Sequence, residues 1–107
     1  MKIVWTDSAK DDLINIRQYL KQSVSLQYAM KVTQEVRDEV TSLIQWRSKG
    51  TYVNELEELN LAQYRQLLAG QYRIVFERGD SDVIYIHMVC YTSRNLEALL
   101  RRRILSS

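Results

Sequence analysis

The spacing of apolar residues changes part-way along this 107-residue chain. In the first half they recur every three or four residues, which is typical of helices with one buried face. This spacing predicts a helix over Ala9–Leu20 and a second over Ala29–Trp46, joined by a short break into an antiparallel hairpin. From about residue 63 the apolar residues alternate with polar ones, which is typical of strands. The chain is therefore predicted to combine helices with a sheet.

The second half predicts an antiparallel meander of three strands. In the middle strand Tyr72, Ile74 and Phe76 share one side. Lys2–Trp5 is a short strand-like opening, of which Ile3–Trp5 is expected to join the sheet at an edge. Asn95 is expected to begin a last helix that ends near residue 105. The three predicted strands are residues 63–68, 71–77 and 83–90, with turn signals at 69–70 and 78–82. The predicted order is β-α-α-β-β-β-α, an α+β fold in which an N-terminal helical hairpin packs on a small antiparallel sheet, with residues 1–107 as one domain.

Two local signals predict where the helices begin and end. Ser8, followed by Asp11 three residues later, predicts a capping box at the start of the first helix. Gly50 predicts the exit from the second helix. Residues 50–62 carry no clear period, and Glu57 and Glu58 are expected to be exposed.

Composition points to a cytoplasmic protein. Apolar residues make up 46% of the chain, yet no apolar run approaches the ~20 residues that span a membrane. The first residues contain no hydrophobic core of a signal peptide. Cys90 is the single cysteine, so no internal disulfide can form, which agrees with a reducing compartment.

The basic residues are unevenly distributed. All five lysines lie at or before Lys49, and every later basic residue is an arginine. Arginine forms forked hydrogen bonds to carboxylates and phosphates, so the second half is a candidate for recognition of an acidic surface or a nucleic-acid backbone. The alternative is that these arginines only solvate a small surface.

Seven residues are candidate contacts for a target or a partner. Arg65, Arg73, Tyr91 and Arg94 lie in or beside the predicted strands and could bind a phosphate. The run 101–103 is a three-arginine cationic patch near the C-terminus, which also complements the negative end of a helix. Each candidate has a structural alternative, because an arginine can cover a sheet face with its aliphatic stem and Tyr91 can be an aromatic residue at a sheet edge.

No metal, cofactor or nucleotide site is predicted. His87 alternates with its apolar neighbours inside a strand and is interpreted as structural. Cys90, three residues later, is expected on the opposite face of that strand, so the two make no metal pair. The remaining tyrosines are too scattered along the chain to predict a base-stacking platform. They are Tyr19, Tyr28, Tyr52, Tyr64 and Tyr85.

The order and spacing of several motifs resemble the RelE/ParE superfamily of bacterial type II toxins. The resemblance covers nearly the whole chain and favours the ParE-like branch. Its residues are Ala9, Asp12, Leu13, Ile16, Tyr19 and Leu20 in the first helix, Ala29, Val36 and Leu43 in the second, then Glu55, Leu56, Arg65 and 72–74, and finally 89–94. Tyr91 stands where the family often has histidine, and Ser93 where it often has arginine.

This resemblance implies a toxin that is neutralised by a cognate antitoxin encoded beside it. ParE-like members inhibit DNA gyrase and are not enzymes, whereas RelE-like members cut mRNA on the ribosome. RNA cleavage needs general acid–base groups and cations that converge on one phosphate. The second half has no lysine and the last helix no tyrosine, so gyrase inhibition is favoured. The alternatives are a ribosome-dependent mRNA endonuclease, with Arg65, Arg73, Tyr91 and Arg94 as its candidate site, and a degenerate member that binds antitoxin without toxicity.

Overall fold

A five-stranded sheet forms the centre of the protein, in the strand order β1-β5-β4-β3-β2. The computed structural model describes residues 1–57, 61 and 63–105. Strands β3, β4 and β5 form the predicted antiparallel meander, and β1 pairs in parallel with β5 at one edge. The strands are β1 Lys2–Trp5, β2 Thr51–Tyr52, β3 Tyr64–Ala69, β4 Tyr72–Arg78 and β5 Val83–Tyr91. The predicted α+β class and the meander are confirmed.

Both predicted N-terminal helices are present and longer than the sequence pattern suggested. Helix α1 spans Asp7–Ser23 and α2 spans Leu26–Gln45, so only two residues join them. The side chain of Ser25 accepts a hydrogen bond from the Tyr28 amide and caps α2. The apolar stripe covers only the buried turns of a helix, which is why it predicted the exposed ends less well than the centre.

The start of α1 differs from the predicted capping box at Ser8. Thr6 is the N-cap: its hydroxyl oxygen accepts a hydrogen bond from the Ala9 amide at 3.2 Å. The same hydroxyl donates to the carbonyl of Ile86 at 2.8 Å, which ties the helix to β5. Ser8 lies inside the first turn and is exposed. The cap is Thr6 because the strand ends at Trp5, leaving no residues for a longer connection.

Changing Thr6 to alanine is expected to lower the free energy of unfolding by about 1–2 kcal/mol. The substitution removes the helix cap and leaves the Ile86 carbonyl without its hydroxyl donor. Urea denaturation followed by circular dichroism measures the change. The matched control is Ser8→Ala, which should change stability by less than about 0.5 kcal/mol. A larger loss at Ser8 than at Thr6 would contradict the assignment of the cap.

Two apolar clusters cover opposite faces of the sheet. Helices α1 and α2 pack on the first face, where Phe76, Ile74 and Ile86 are fully buried. The last helix, α4 at Leu96–Leu105, lies on the second face and inserts Leu100. The other buried residues of the second face are Val53, Leu56, Tyr64, Val75, Met88 and Cys90. The hairpin alone therefore does not complete the core. The spacing of Leu96, Leu100 and Ile104 in the sequence predicts one shared face. The side chains of Leu96 and Ile104 lie outside the described residues.

A β-bulge in β5 changes which face His87 occupies. Phe76 pairs with Ile86 and Val75 pairs with Met88, so His87 is an extra residue in β5. The extra residue breaks the alternation, and His87 joins Met88 and Cys90 on the face that α4 covers. The expectation that His87 and Cys90 point to opposite faces is therefore wrong.

The stretch that showed no clear period contains two short elements. Strand β2 pairs with β3 at the second edge of the sheet, opposite β1. Helix α3, Asn54–Glu57, follows it and buries Leu56. Glu58 and the Glu57 side chain, both expected to be exposed, lie outside the described residues. Among the helices that the structure describes, none is long and apolar enough to span a bilayer.

Candidate functional site

An open groove of about 1020 Å³ lies at one end of the sheet. The second half of α1 and the first half of α2 border it, together with the β3–β4 turn, the end of β5 and part of α4. Much of its wall is apolar, and charged residues from α1, α2 and α4 also line it. The main apolar lining residues are Ile16, Leu20, Val24, Val32, Val89 and Leu99. A concave, largely apolar surface with a few charged groups is typical of a binding site.

Four tyrosines line this groove. The rings of Tyr72 and Tyr91 meet edge to face with their centroids 5.5 Å apart, and the Tyr91 hydroxyl donates to the side-chain oxygen of Gln71. Burial raises the pKa of the Tyr72 hydroxyl, and nearby Tyr28, Tyr91 and Tyr19 raise it further. Tyr19 is 67% exposed and Tyr28 is 44% exposed. The fold thus gathers tyrosines that are far apart in the sequence, which their spacing did not predict.

Asp12 joins α1, β5 and α4 at the edge of the groove. Its carboxylate accepts two hydrogen bonds from the Arg103 guanidinium, at 2.7 and 3.0 Å, and one from the Val89 amide at 3.0 Å. Arg103 also donates to the His87 carbonyl at 3.0 Å. The hydrogen bond that Arg103 donates to Asp12 raises the pKa of the Arg103 guanidinium, although burial opposes it. This forked ion pair fixes the last helix on the sheet.

The sheet register places Arg65 and Arg73 on opposite faces. Arg65 is the cross-strand partner of Phe76, so it lies on the first face of the sheet, which α1 and α2 cover. The guanidinium of Arg65 lies 4.0 Å from the centroid of the Tyr52 ring. Arg73 is the partner of Cys90 on the second face. These two candidate residues therefore do not converge on one point.

Arg73 is held by an ion pair. Its guanidinium contacts the Glu55 carboxylate of α3 at 2.8 Å, and its side chain is 24% exposed. Because Tyr72, Ile74 and Phe76 share one side of the strand, alternation predicts that Arg73 points outward on the other face of the sheet. Arg73 is on that face, but α3 and α4 cover much of it, and Arg73 bridges the sheet to α3.

Three of the seven candidate residues line the groove, namely Tyr91, Arg94 and Arg103. The Arg94 amide donates to the Tyr91 carbonyl at 3.0 Å, which closes a tight turn after β5, and the side chains of Tyr91 and Arg94 are exposed. Tyr91 pairs with Tyr72 at the start of β4, whereas Arg65 lies opposite its end. The four residue steps along β4 from Tyr72 to Phe76 separate Tyr91 and Arg65 by roughly 13 Å along the sheet.

The three consecutive arginines do not form one patch. Successive residues on a helix point about 100° apart, so the three arginine side chains point in different directions. Arg101 pairs with Glu97 at 3.2 Å on the exposed side of α4, and Arg102 is also exposed. Arg103 turns inward to Asp12.

His87 takes part in a polar cluster away from the groove. Its Nε2 lies 2.9 Å from a Glu77 carboxylate oxygen, and its ring contacts Tyr64 edge to face. Desolvation by burial raises the pKa of the Tyr64 hydroxyl, and the Glu77 charge adds to it. Burial also raises the pKa of the Cys90 thiol. Within residues 1–57, 61 and 63–105, no three His, Cys, Asp or Glu side chains are grouped to hold a metal ion.

Comparison with protein families identifies this architecture. The model of the ParE toxin of type II toxin–antitoxin systems (parDE) matches residues 3–96. The chain belongs to the ParE toxin family. The match covers most of the sequence, including both N-terminal helices, all of the sheet except Lys2, and the groove residues up to Arg94. The resemblance suggested by the sequence motifs is thus confirmed for the ParE branch.

A solved structure supports the same fold. This ParE-family chain superimposes on a chain from the chromosomal ParDE toxin–antitoxin system of P. aeruginosa with a TM-score of 0.71. The two sequences are 20% identical, and the match covers 87% of this chain and 97% of the other. No curated protein matches the sequence.

Of the groove tyrosines, the sequence had selected only Tyr91 as a site residue, and it had not selected Asp12. Tyr19 and Tyr28 flank the turn between α1 and α2 and lie off the buried stripe. Large aromatic residues outside the apolar stripe of an amphipathic helix were the available signal. Asp12 gave no comparable signal, because its partner Arg103 is 91 residues away.

Proposed function

We propose that this ParE-family toxin inhibits DNA gyrase by binding it in the cytoplasm, and that a cognate ParD-type antitoxin neutralises it by occupying the tyrosine-lined groove. The observation that carries the inhibitor proposal is the dispersal of the candidate cations. Arg65 and Arg73 lie on opposite faces of the sheet, and Arg73 is paired with Glu55. RNA cleavage through these residues needs them around one phosphate, so their positions favour an inhibitor that acts by binding.

The groove supports the antitoxin half of the proposal. It is large and lined by exposed tyrosines, and the carboxylates of Asp12 and Glu35 and the guanidinium of Arg94 also line it. Tyrosine provides large contact area with little loss of side-chain entropy, and aromatic residues are common at the centres of interfaces. An antitoxin segment with apolar side chains and a few charges fits this surface. The solved structure that superimposes on this chain comes from a ParDE system, in agreement with such a pairing.

Purified toxin separates the proposed activities directly. We expect it to block supercoiling of relaxed plasmid by DNA gyrase and to leave mRNA intact in a reconstituted translation reaction. Added antitoxin should restore supercoiling. Codon-dependent mRNA cuts on ribosomes with normal supercoiling would instead establish an endonuclease. A folded toxin that affects neither reaction, and whose expression leaves growth unchanged, would establish a member that only binds antitoxin.

A further inference from the structure

A second concave surface lies on the opposite flank of α1 from the groove. Lys10, Ile14 and Arg17 face it, whereas Ile16 and Tyr19 of the same helix face the groove. This basic cleft encloses about 370 Å³ between α1, the end of β1 and the middle of α2. Its six lining residues are Trp5, Lys10, Leu13, Ile14, Arg17 and Arg37.

The three cations of the basic cleft have no side-chain partners among the residues that the structure describes. Lys10, Arg17 and Arg37 are exposed, and none forms an ion pair or a side-chain hydrogen bond with a residue in the described part of the chain. Other cations on this protein do pair, as Arg73 does with Glu55. Three like charges around one cleft repel each other, and an incoming carboxylate relieves that repulsion.

The floor of the basic cleft is apolar. Ile14 lies one helical turn from both Lys10 and Arg17 on α1, and its side chain is 54% exposed. Trp5 is half-buried, and Leu13 closes the bottom of the cleft. An exposed isoleucine and an indole beside each other favour contact with another apolar group. The enclosed volume is near the lower end for ligand pockets, so it suits a side chain better than a large molecule.

We propose that the basic cleft docks an acidic segment of a partner protein, with one large apolar side chain on Trp5 and Ile14 and flanking carboxylates on the three cations. Arginines recognise carboxylates through forked hydrogen bonds, and an apolar centre with a polar rim is the usual arrangement of an interface. Since the groove uses the other flank of α1, an antitoxin in the groove leaves this cleft accessible.

A nucleic-acid backbone fits the basic cleft less well. Asp11 directly follows Lys10, and Asp38 directly follows Arg37, and both carboxylates are exposed. A continuous row of phosphates passing over this surface meets these negative charges, whereas a short segment with a few carboxylates can avoid them. The apolar floor likewise offers no extended series of rings for stacking bases.

Peptide titration followed by nuclear magnetic resonance tests the proposal on the full chain. The probe is an eight-residue peptide with a central Leu-Phe pair and three glutamates on each side. We expect it to shift the resonances of the Trp5 indole and the Ile14 methyl groups, and to bind more weakly as salt rises. A peptide with lysines in place of the glutamates, and one with Ala-Ala in place of Leu-Phe, should each bind at least tenfold more weakly.

Charge reversal provides the matched comparison. The double variant Arg17→Glu/Arg37→Glu should weaken peptide binding at least tenfold, and each single variant should weaken it less. The control Lys2→Glu/Lys31→Glu changes net charge equally at exposed positions outside the basic cleft, and should stay within twofold of the unmodified protein. Unchanged binding in the Arg17→Glu/Arg37→Glu variant, or no shift at Trp5 and Ile14, overturns the proposal. Tighter binding of an eight-nucleotide oligothymidine at the same residues overturns it in favour of nucleic acid.

Discussion

Replacing Asp12 with alanine is expected to lower the free energy of unfolding by about 2–3 kcal/mol, somewhat below the cost of breaking a fully buried ion pair. The substitution leaves the Arg103 guanidinium and the Val89 amide without their acceptor. Both ion-pair side chains are partly covered, with 16% of Asp12 and 28% of Arg103 exposed, so water replaces the lost contacts only in part. Chemical denaturation at neutral pH measures the loss.

Asp11 is the matched control for Asp12. It is the neighbouring residue on α1, it is exposed, and it forms no ion pair with a described residue. Asp11→Ala should change stability by less than about 0.5 kcal/mol. A cycle that combines Asp12→Ala with Arg103→Ala should give a coupling of about 1–2 kcal/mol. Additive effects in this cycle would show that the two side chains do not stabilise each other.

The same change tests what holds α4 on the sheet. Arg103 joins α4 to Asp12 and to the His87 carbonyl, and Leu100 inserts in the apolar cluster of the second face. Without Asp12 the apolar contact and the hydrogen bond to the His87 carbonyl remain, but the ion pair is lost. We therefore expect the α4 amides to exchange with deuterium several-fold faster in Asp12→Ala, while the amides of β4 exchange more nearly as before.

The sequence predicted the parts of the fold that depend on regular spacing. Alternation placed Tyr72, Ile74 and Phe76 on one face of β4, and all three pack against the N-terminal helices. The helical stripe located α1 and α2 because burial of one face selects apolar residues at a fixed period. The edge position of Lys2–Trp5 was also correct.

Features that depend on tertiary contacts were not predictable in this way. The β-bulge at His87 appears only from the pairing of β4 with β5. The run of three arginines suggested one patch, but only Arg103 turns inward, to pair with the partly covered carboxylate of Asp12 on α1. The candidate arginines were separated because neighbouring strand positions alternate between faces, and Arg65 and Arg73 fall on opposite ones. Ion pairs between distant residues leave no periodic signal in a single sequence.

Removing two exposed tyrosines from the groove is expected to weaken binding of the cognate antitoxin about 100-fold, or about 2.7 kcal/mol. Tyr19 and Tyr28 line the groove from α1 and α2, and their exposure leaves both rings available to a partner. Tyrosines at the centre of an interface commonly contribute 1–2 kcal/mol or more each when truncated. Isothermal titration calorimetry of the variant Tyr19→Ala/Tyr28→Ala with the antitoxin measures the change. Because neither ring is buried, the melting temperature of the free toxin should change little.

The control for this variant is a tyrosine of similar exposure far from the groove. Tyr52 lies in the edge strand β2, and its side chain is 45% exposed, against 44% for Tyr28. It contacts Arg65, which does not line the groove. Tyr52→Ala should leave antitoxin affinity within about twofold, since rim or distant truncations change binding little. Equal losses in the control and in the groove variant would indicate an antitoxin that wraps the whole sheet. Full affinity in the groove variant with weaker binding in Tyr52→Ala would move the antitoxin site to the β2 edge.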